Sequence, residues 1–420
     1  MTFGLIVVIA LLVGMLGVPL FAVIGTTALA SFFLNDIDPS AVSVEIYRLS
    51  SAPTLLTIPL FTFAGYIMAE SGAPKRLVRF ADALMGWLPG GVAIVGLVVS
   101  AFFTAFTGAS GVTIVALGGL LYPILKDEGF SEKFTMGFIT TSGSLGLLFP
   151  PSLPIILYGL VAKVDIDELF KAGIVPGVLL ILVLALWSMK NGVARTEKVS
   201  FDKVELLASF KACFFELLLP FAVLGGIYGG ITTVSEAAAF TAFYILCVEC
   251  FIYKDLSLRK DIPKIIIESM TLVGAILIIL CCALGLTNFL VDEEVPMQIF
   301  EAMRGVITDK YAFLLFLNVF LLVVGSLMDI FSAIIVVVPL ILPMAAEFDI
   351  HPIHLAIVFL TNLEIGYITP PVGINLFISS IRFKRPITEL YRSSLPFLFL
   401  LLICLAIITY VPALSLLWVK

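Results

Sequence analysis

Long apolar runs alternate with short charged segments along the chain, and these runs define the predicted elements. No charged residue occurs between Asp82 and Lys126, or within residues 134–162. About 20 apolar residues are enough for one membrane-spanning helix, so each run holds at least one. The apolar stretch from Phe3 to Leu34 is too long for a signal-peptide core and is predicted to remain as a span. The pattern predicts a chain that crosses a bilayer many times.

Composition supports this prediction and excludes several functions. The chain is 61% hydrophobic and 13% charged, whereas soluble domains carry about 25% charged residues. Its net charge is -6 and its Lys and Arg residues lie in short loops, which argues against nucleic-acid binding. No G-x-x-x-x-G-K-[ST] loop for ATP is present. Cys247 and Cys250 lie in an apolar run, which favours packing, and His351 with His354 would need further ligands to hold a metal.

Two double prolines indicate an internal repeat. Pro150-Pro151 and Pro370-Pro371 are 220 residues apart and are the only Pro-Pro pairs in the chain. Two further pairs of helix breakers have the same spacing: Pro123 with Pro343, and Gly146 with Gly366. Because proline and glycine interrupt helices, matched breakers predict two structurally related halves.

Loop charges predict that these halves have opposite orientations. The loop from Lys163 to Lys171 holds three acids against two lysines, while the matching loop holds four basic residues: Arg382, Lys384, Arg385 and Arg392. The loop with Lys126 and Lys133 is basic, whereas its match, residues 347–354, has no Lys or Arg. Lys and Arg accumulate in short cytoplasmic loops, so equivalent loops lie on opposite sides, as in an inverted repeat. Basic groups at residues 75–79, 190–203 and 254–264 are then cytoplasmic as well.

The fold class that follows is an all-α polytopic membrane protein with inverted repeats, two helical hairpins and two broken helices. The first repeat is predicted at residues 1–190, with a hairpin at about 83–125 and a broken helix at about 134–162. A cytoplasmic connector at 191–211 precedes the second repeat, 212–420, with a hairpin at about 311–347 and a broken helix at about 353–381. Each hairpin is either two full crossings or a re-entrant pair, and its tip, Thr107–Thr113 or Gly325–Asp329, is rich in turn formers.

The broken helices are the candidate chemical sites. Proline should unwind each helix, freeing carbonyls around residues 143–149 and 366–369 that could coordinate a hard cation such as sodium. Helix N-termini nearby could hold a carboxylate. The alternative is a proline kink that only shapes packing. Asp329 and Glu364 are the only charges in their apolar runs and are costly in a membrane, whereas Glu236 fits a helix cap better than a substrate ligand.

Two strings around the double prolines resemble a known family. They are Gly143-Ser-Leu-Gly-Leu-Leu-Phe-Pro-Pro-Ser-Leu-Pro154 with Tyr158-Gly159, and Asn362-Leu-Glu-Ile-Gly-Tyr-Ile-Thr-Pro-Pro-Val-Gly373 with Asn375-Leu-Phe377. Both resemble signatures of the large membrane subunit of tripartite ATP-independent periplasmic (TRAP) transporters, within the ion-transporter superfamily. The similarity also covers Gly17-Val-Pro19 and residues 230–239, so it extends over nearly the whole chain.

The resemblance implies an elevator-type, sodium-coupled importer of organic acid anions, such as four-carbon dicarboxylates or sialic acid, in the bacterial inner membrane. It implies no enzymatic activity and no cofactor besides the coupling sodium ions. Its implied partners are a small four-helix membrane subunit (Q type) and a periplasmic substrate-binding protein (P type).

The resemblance also implies the site residues. The sodium ligands would be Ser110, Gly143, Pro150, Gly325, Gly366 and Thr369. Substrate would lie between the hairpin tips, and the candidate contacts are Thr107, Ser142, Ser152, Asp329, Asn362 and Asn375. Where this chain has Thr107, Ala109 and Gly111, family members often have a richer serine cluster, so the first tip departs from the pattern.

Other functions fit the sequence less well. Gly108-Ala-Ser-Gly111 matches the G-x-S-G form of rhomboid intramembrane proteases, but a nucleophilic Ser110 needs a base. Both histidines fall in a loop that the topology places outside the membrane. A helical channel would not require an inverted pair of broken helices.

Overall fold

The computed structural model describes residues 18–35, 38, 40–88, 90–191, 201–295, 297–298, 301 and 309–419. Within these residues the chain is helical and contains no strand. The helices of the first half are α1 (Leu20–Leu34), α2 (Ser40–Ser50), α3 (Thr57–Glu70), α4 (Ala73–Met85), α5 (Gly91–Thr107), α6 (Ser110–Asp127), α7 (Glu132–Ser142), α8 (Leu153–Ala162) and α9 (Ile166–Asn191). Short 3₁₀ turns at Pro53–Leu56 and Leu145–Leu148 precede α3 and follow α7.

The second half has ten further helices in its described part. They are α10 (Lys203–Ala212), α11 (Phe214–Tyr228), α12 (Val234–Cys247), α13 (Ile262–Asp292), α14 (Lys310–Leu327), α15 (Ile330–Glu347), α16 (Pro352–Gly366), α17 (Ile374–Phe383), α18 (Ile387–Tyr410) and α19 (Ala413–Leu416). A π-helical turn, Val248–Ile252, continues α12.

The lengths and apolar character of these helices make the chain a multi-pass membrane protein. Six helices of the described ranges are long and apolar enough to cross a membrane, or up to nine if each bent pair counts as one span. The first part of the predicted N-terminal span, residues 3–17, lies outside the described residues, and so do residues 192–200 of the predicted connector. The repeat boundaries and the sides of the membrane stay predictions.

One group of helices forms a scaffold around α3 and α13. The 31-residue α13 packs along α1 and α3, and α12 also packs along α3. At a rise of about 1.5 Å per residue, α13 is longer than a bilayer core is thick, which lets it cross at a tilt. At the start of α12, the side chain of Glu236 accepts a hydrogen bond from the backbone N–H of Thr233. The hydroxyl of Thr233 accepts one from the backbone N–H of Glu236. The predicted capping role of Glu236 is therefore confirmed.

The scaffold is joined to the first hairpin by α4, which bends by 72° from α3. This helix is amphipathic, with Leu77 and Val78 buried. Arg76 projects into a carboxylate cluster, with its guanidinium 2.5 Å from Glu216 and 2.8 Å from Glu249. Both carboxylates are fully buried, so each needs an opposite charge to offset the cost of its burial. The Arg76 guanidinium supplies that positive charge.

Two helical hairpins lie beside the scaffold. The first consists of α5 and α6, which pack against each other and turn at Gly108, where φ is +63°. The second consists of α14 and α15, which diverge from a tip at residues 328–329. The second helices of the two hairpins, Ser110–Asp127 and Ile330–Glu347, both have 18 residues and begin 220 residues apart. This spacing equals that of the double prolines.

Each hairpin packs against a broken helix. α7 and the 3₁₀ turn are bent by 45° from α8, and α16 is separated from α17 by residues 367–373. Both Pro-Pro peptide bonds, Pro150-Pro151 and Pro370-Pro371, are cis and lie inside the breaks. The side chains of α16 are buried from Ile353 to Gly366, so this helix has no lipid-facing side in the described structure. The predicted class, an all-α membrane protein with hairpins and broken helices, is confirmed.

Candidate transport site

The first hairpin meets the first broken helix at Gly143. A Cβ atom added to Gly143 would lie 2.4 Å from Cγ1 of Ile114 and 3.3 Å from the carbonyl oxygen of Ser110, so only glycine allows this approach. The hydroxyl of Thr104 lies 2.8 Å from the Gly143 carbonyl oxygen and 2.8 Å from the Thr113 hydroxyl. Hydroxyl and carbonyl oxygens therefore converge at this junction, as a hard cation requires.

A hydrogen bond joins this junction to the second broken helix. The hydroxyl of Ser110 donates to the side-chain oxygen of Asn375 at 2.7 Å, and the Asn375 amide group donates to the Thr140 carbonyl at 3.2 Å. The Ser110 oxygen keeps lone pairs for a further partner, because its proton is used in this bond. The hydroxyls of Thr140 and Ser379 lie 2.8 Å apart. Residues of both halves thus build the first junction.

The second hairpin meets the second broken helix through two glycines. A Cβ atom added to Gly366 would lie 2.6 Å from both Cα and the carbonyl carbon of Gly325, so the two backbones touch. The N–H of Gly373 donates to the Ser326 carbonyl at 2.9 Å, which folds the unwound segment back against the hairpin. The hydroxyl of Thr369 lies in that segment and donates to the Ile365 carbonyl at 2.9 Å. Backbone and hydroxyl oxygens converge here as well.

The two hairpin tips differ chemically. No side chain caps the N-terminus of α6 at the first tip. At the second tip, the carboxylate of Asp329 accepts hydrogen bonds from the N–H and the hydroxyl of Ser332, at 3.0 and 2.6 Å. The N–H of Ile330 donates to the Tyr367 hydroxyl at 2.7 Å. A helix N-terminus attracts anions, so the first tip is open to one while the second already holds the Asp329 carboxylate.

A cavity of about 600 Å³ opens between these tips and the scaffold. It is lined by Ser110 and Gly111 from the first tip, by Asp329 from the second, and by Glu70 and Glu268 from scaffold helices α3 and α13. Tyr367, Ile374 and Ile378 of the second broken helix complete much of the wall. The volume is that of a small-molecule binding site.

The structure brings some of the predicted residues together and leaves others apart. Ser110 with Gly143, and Gly325 with Gly366 and the nearby Thr369, form the two junctions. Pro150, Ser142 and Ser152 are buried in the first broken helix, and Thr107 is buried at the end of α5. These four residues do not line the cavity.

The predicted substrate contact Asn362 lies in a different environment. Its amide group donates to the side chain of Asn318 at 2.7 Å and to the Val358 carbonyl at 2.8 Å. Asn318 in turn donates to Thr409 at 3.1 Å, so Asn362 faces α14 and α18 rather than the cavity. Glu364 is fully buried, and neither of its carboxylate oxygens has a hydrogen-bond partner within the described structure.

Sequence reasoning missed the residues that complete the two junctions and the cavity mouth. They are Thr104, Thr113, Tyr367, Glu70 and Glu268. Thr113 and Tyr367 stand inside the strings that were singled out at the first tip and at the second double proline. The other three have no local signal, because they come from helices distant in sequence.

Among the described residues, Ser110 has no base beside it of the kind that a catalytic serine needs. Its hydroxyl is engaged by Asn375, an amide that cannot act as a general base. The ring of His354 lies 2.6 Å from the Ser415 hydroxyl and 3.1 Å from the Thr409 carbonyl. His351 caps α16 through its Nδ1 atom. Both histidines are therefore engaged away from Ser110.

The two junctions, with a cavity between hairpin tips and scaffold, define a membrane transport protein. Comparison with known families then identifies its kind. Residues 4–414 match the model of the tripartite ATP-independent periplasmic transporter, DctM component. The chain belongs to this family, and it is a transporter subunit rather than an enzyme.

Three relatives illustrate the range of the family. The chain is 36% identical to the isethionate TRAP transporter permease protein DctMQ of Oleidesulfovibrio alaskensis, over 94% of this chain but 63% of that protein. It is 34% identical to the C4-dicarboxylate TRAP transporter large permease protein DctM of Rhodobacter capsulatus, over 99% of this chain and 97% of the relative. It is 30% identical to the sialic acid TRAP transporter large permease protein SiaM of Vibrio cholerae, over 87% of this chain and 86% of the relative.

A solved structure matches the fold. The Alcanivorax borkumensis YdaH transporter aligns with a TM-score of 0.62, covering 91% of this chain and 90% of that one. Sequence identity is 15%, so this likeness concerns the fold alone.

Proposed function

We propose that the protein is the translocating subunit of a sodium-coupled importer of organic acid anions in a bacterial inner membrane. The observation that carries the proposal is the pairing of each hairpin with a broken helix at a glycine contact, Gly143 in one half and Gly366 with Gly325 in the other. Sodium prefers oxygen ligands, and unwound membrane helices supply them from carbonyls and hydroxyls. The cavity between the tips would hold the substrate.

The proposed sodium ligands follow from the junctions. The first ion would use Ser110 and the carbonyls near Gly143 and Pro150, with Thr104 and Thr113 close by. The second would use carbonyls of Gly325 and Gly366 with the Thr369 hydroxyl. Binding of sodium at both junctions would fix the tips around the cavity, which couples ion binding to substrate binding.

The transport movement we propose is an elevator, in which the hairpins and broken helices move against the scaffold. Support comes from the grouping of the helices: α13 packs along α1 and α3, α12 packs along α3, and this group meets the hairpins through contacts of α3 with α5 and of α13 with α15. A periplasmic binding protein would deliver the acid, and a small membrane subunit of four helices would extend the scaffold. The names of the relatives support organic or sulfonic acid anions as the substrate range.

Reconstitution tests the proposal. Liposomes that hold this chain and its small subunit, with the binding protein outside, should take up acid when an inward sodium gradient is imposed. The matched control replaces external sodium by potassium at equal ionic strength, which should abolish uptake. Equal uptake in potassium would refute sodium coupling, and uptake without the binding protein would refute the proposed delivery.

A further inference from the structure

The cavity between the hairpin tips carries an unusual charge for a transporter of anions. Its charged lining residues in the described structure are Glu70, Glu268 and Asp329, and none of the lining residues there is Lys, Arg or His. Three carboxylates would repel a doubly charged anion, because like charges brought together in a protein cleft cost several kcal/mol. The charge therefore selects among organic acids.

The two ends of the cavity favour different chemical groups on the substrate. At the first tip, α6 begins without a side-chain cap, next to Ser110 and Gly111. The N–H groups of that first turn favour one carboxylate. At the second tip, Asp329 already occupies the N-terminus of α15 and accepts bonds from Ser332. A substrate group near Asp329 must donate hydrogen bonds, because an ionised carboxylate only accepts them.

The volume of the cavity also favours a substrate larger than a four-carbon diacid. A cavity of about 600 Å³ is in the range that encloses drug-sized ligands. A four-carbon diacid would fill a small part of it and would place its second carboxylate among the three acids. A longer acid with several hydroxyl groups would fill more of the space and would offer donors to Asp329, Glu70 and Glu268.

We infer that the cavity prefers a hydroxylated or amino-bearing monocarboxylate, such as a sugar acid, over a four-carbon dicarboxylate, and that Glu70, Glu268 and Asp329 set this preference. The inference rests on the proposed function, since it assigns the substrate class of the same site. The carboxylate of the substrate lies at the first tip, and its donor groups face the three acids. Glu70 and Glu268 are exposed at the mouth of the cavity, so their effect on a dianion weakens as salt is added.

The test measures binding to the membrane complex alone, because a periplasmic binding protein would impose its own selection. The complex of this chain with its small subunit is purified in detergent with sodium, and its thermal unfolding is followed as galacturonate or succinate is added. Ligand that binds the folded state raises the unfolding temperature, which gives an apparent Kd. We expect galacturonate to bind at least about tenfold more tightly than succinate, a difference of about 1.4 kcal/mol.

Charge-removing variants then assign the preference to residues. The double variant Glu70→Gln and Glu268→Gln should bind succinate about three- to tenfold more tightly, with galacturonate little changed, because it removes repulsion of the second carboxylate. Asp329→Asn, which keeps an oxygen for the cap of α15, should shift the preference in the same direction. The control is Glu293→Gln, an exposed residue just beyond the far end of α13 from Glu268, which should change neither acid.

The outcomes separate this inference from the proposed function. Tighter binding of succinate than of galacturonate by the unchanged protein would overturn the inference while leaving an organic-acid transporter in place. Unchanged selectivity in the glutamine variants would overturn the role of the three acids. If neither acid shifts unfolding in any variant, with sodium or with potassium, both the inference and the proposed function fail.

Discussion

The hydroxyl of Ser110 and the side-chain oxygen of Asn375 lie 2.7 Å apart, although the residues are 265 positions apart in sequence. This bond ties the tip of the first hairpin to the start of α17, and Asn375 extends the link to the Thr140 carbonyl. Together with the contact between the Thr140 and Ser379 hydroxyls, this bond joins the two halves through buried polar groups.

The Ser110–Asn375 bond should contribute to stability as a unit. Asn375→Ala should lower the unfolding temperature of the detergent-purified protein, because it leaves buried polar groups unpartnered at a cost of about 1 to 3 kcal/mol. Adding Ser110→Ala should lower it little further, since both changes remove the same bond. The control is Ser188→Ala, whose hydroxyl bonds only the Leu184 carbonyl of its own helix and whose effect should add to that of Asn375→Ala. Full additivity with Ser110→Ala would contradict the coupling.

The contact between Gly366 and Gly325 predicts that Gly366→Ala is damaging. A methyl group there would meet the Gly325 backbone at 2.6 Å, and overpacking of this kind costs about 1 to 3 kcal/mol. We expect loss of sodium-dependent uptake together with a lower unfolding temperature. Gly274→Ala in α13 is the matched change, since beyond the adjoining backbone of its own helix no atom of the described residues lies within 4 Å of its added Cβ. A Gly366→Ala protein with normal uptake would show that this contact is not required.

The hydroxyl of Thr369 should matter for sodium rather than for folding. Thr369→Val keeps the shape of the side chain but removes the proposed oxygen ligand from the second junction, so the sodium concentration for half-maximal uptake should rise about tenfold. Uptake is measured in liposomes at several sodium concentrations. Thr241→Val is the control, because the Thr241 hydroxyl is buried in α12 and bonds the Ala237 carbonyl. An unchanged sodium dependence would remove Thr369 from the site.

The cluster around Arg76 should be sensitive to loss of its cation. Arg76→Gln would leave Glu216 and Glu249 buried without their partner, and breaking a buried pair costs about 3 to 5 kcal/mol. We expect a sharply reduced yield of folded protein and a lower unfolding temperature. Arg79→Gln on the same helix removes an exposed pair with Glu205 and should change stability far less, because water and salt screen that pair. Equal effects of the two changes would mean that burial does not govern the cluster.

Asp255 belongs to the same cluster but lies in the loop after the π-helical turn. Burial acts to raise the pKa of its carboxyl, but hydrogen bonds from the Arg76 guanidinium and the Gly72 N–H hold that pKa below its ordinary value. Asp255 is therefore ionised in the neutral range and contributes its charge to the cluster. Its hydrogen bonds to Arg76 and Gly72 hold the start of α4 in place.

The sequence predicted the elements of the site well because proline and glycine act locally. The double prolines marked both breaks, and the turn formers near Gly108 and Asp329 marked both tips, since each interrupts a helix wherever it stands. Resemblance to a family then supplied Ser110, Gly143, Gly325 and Gly366.

The partners of these residues could not be predicted in the same way. Asn362 was expected beside the substrate, but α16 is buried on every side, so its sequence has no polar face that would show its orientation. The structure turns Asn362 toward Asn318 instead. Glu70 and Glu268 reach the cavity from two scaffold helices, and only tertiary packing brings them near Asp329.

The cluster around Arg76 also limits where the protein can bend. Tilting α4 away from α11 would leave the buried Glu216 and Glu249 without their cation. We therefore expect the 72° bend between α3 and α4 to stay fixed rather than to act as a hinge. In the proposed elevator movement, displacement of the first hairpin would then be absorbed beyond Met85. Three glycines follow there, Gly86, Gly90 and Gly91, and Gly90 already has a φ of +68°. These glycines are therefore where we expect the backbone to change conformation in the proposed elevator movement, while α4 stays fixed to α11.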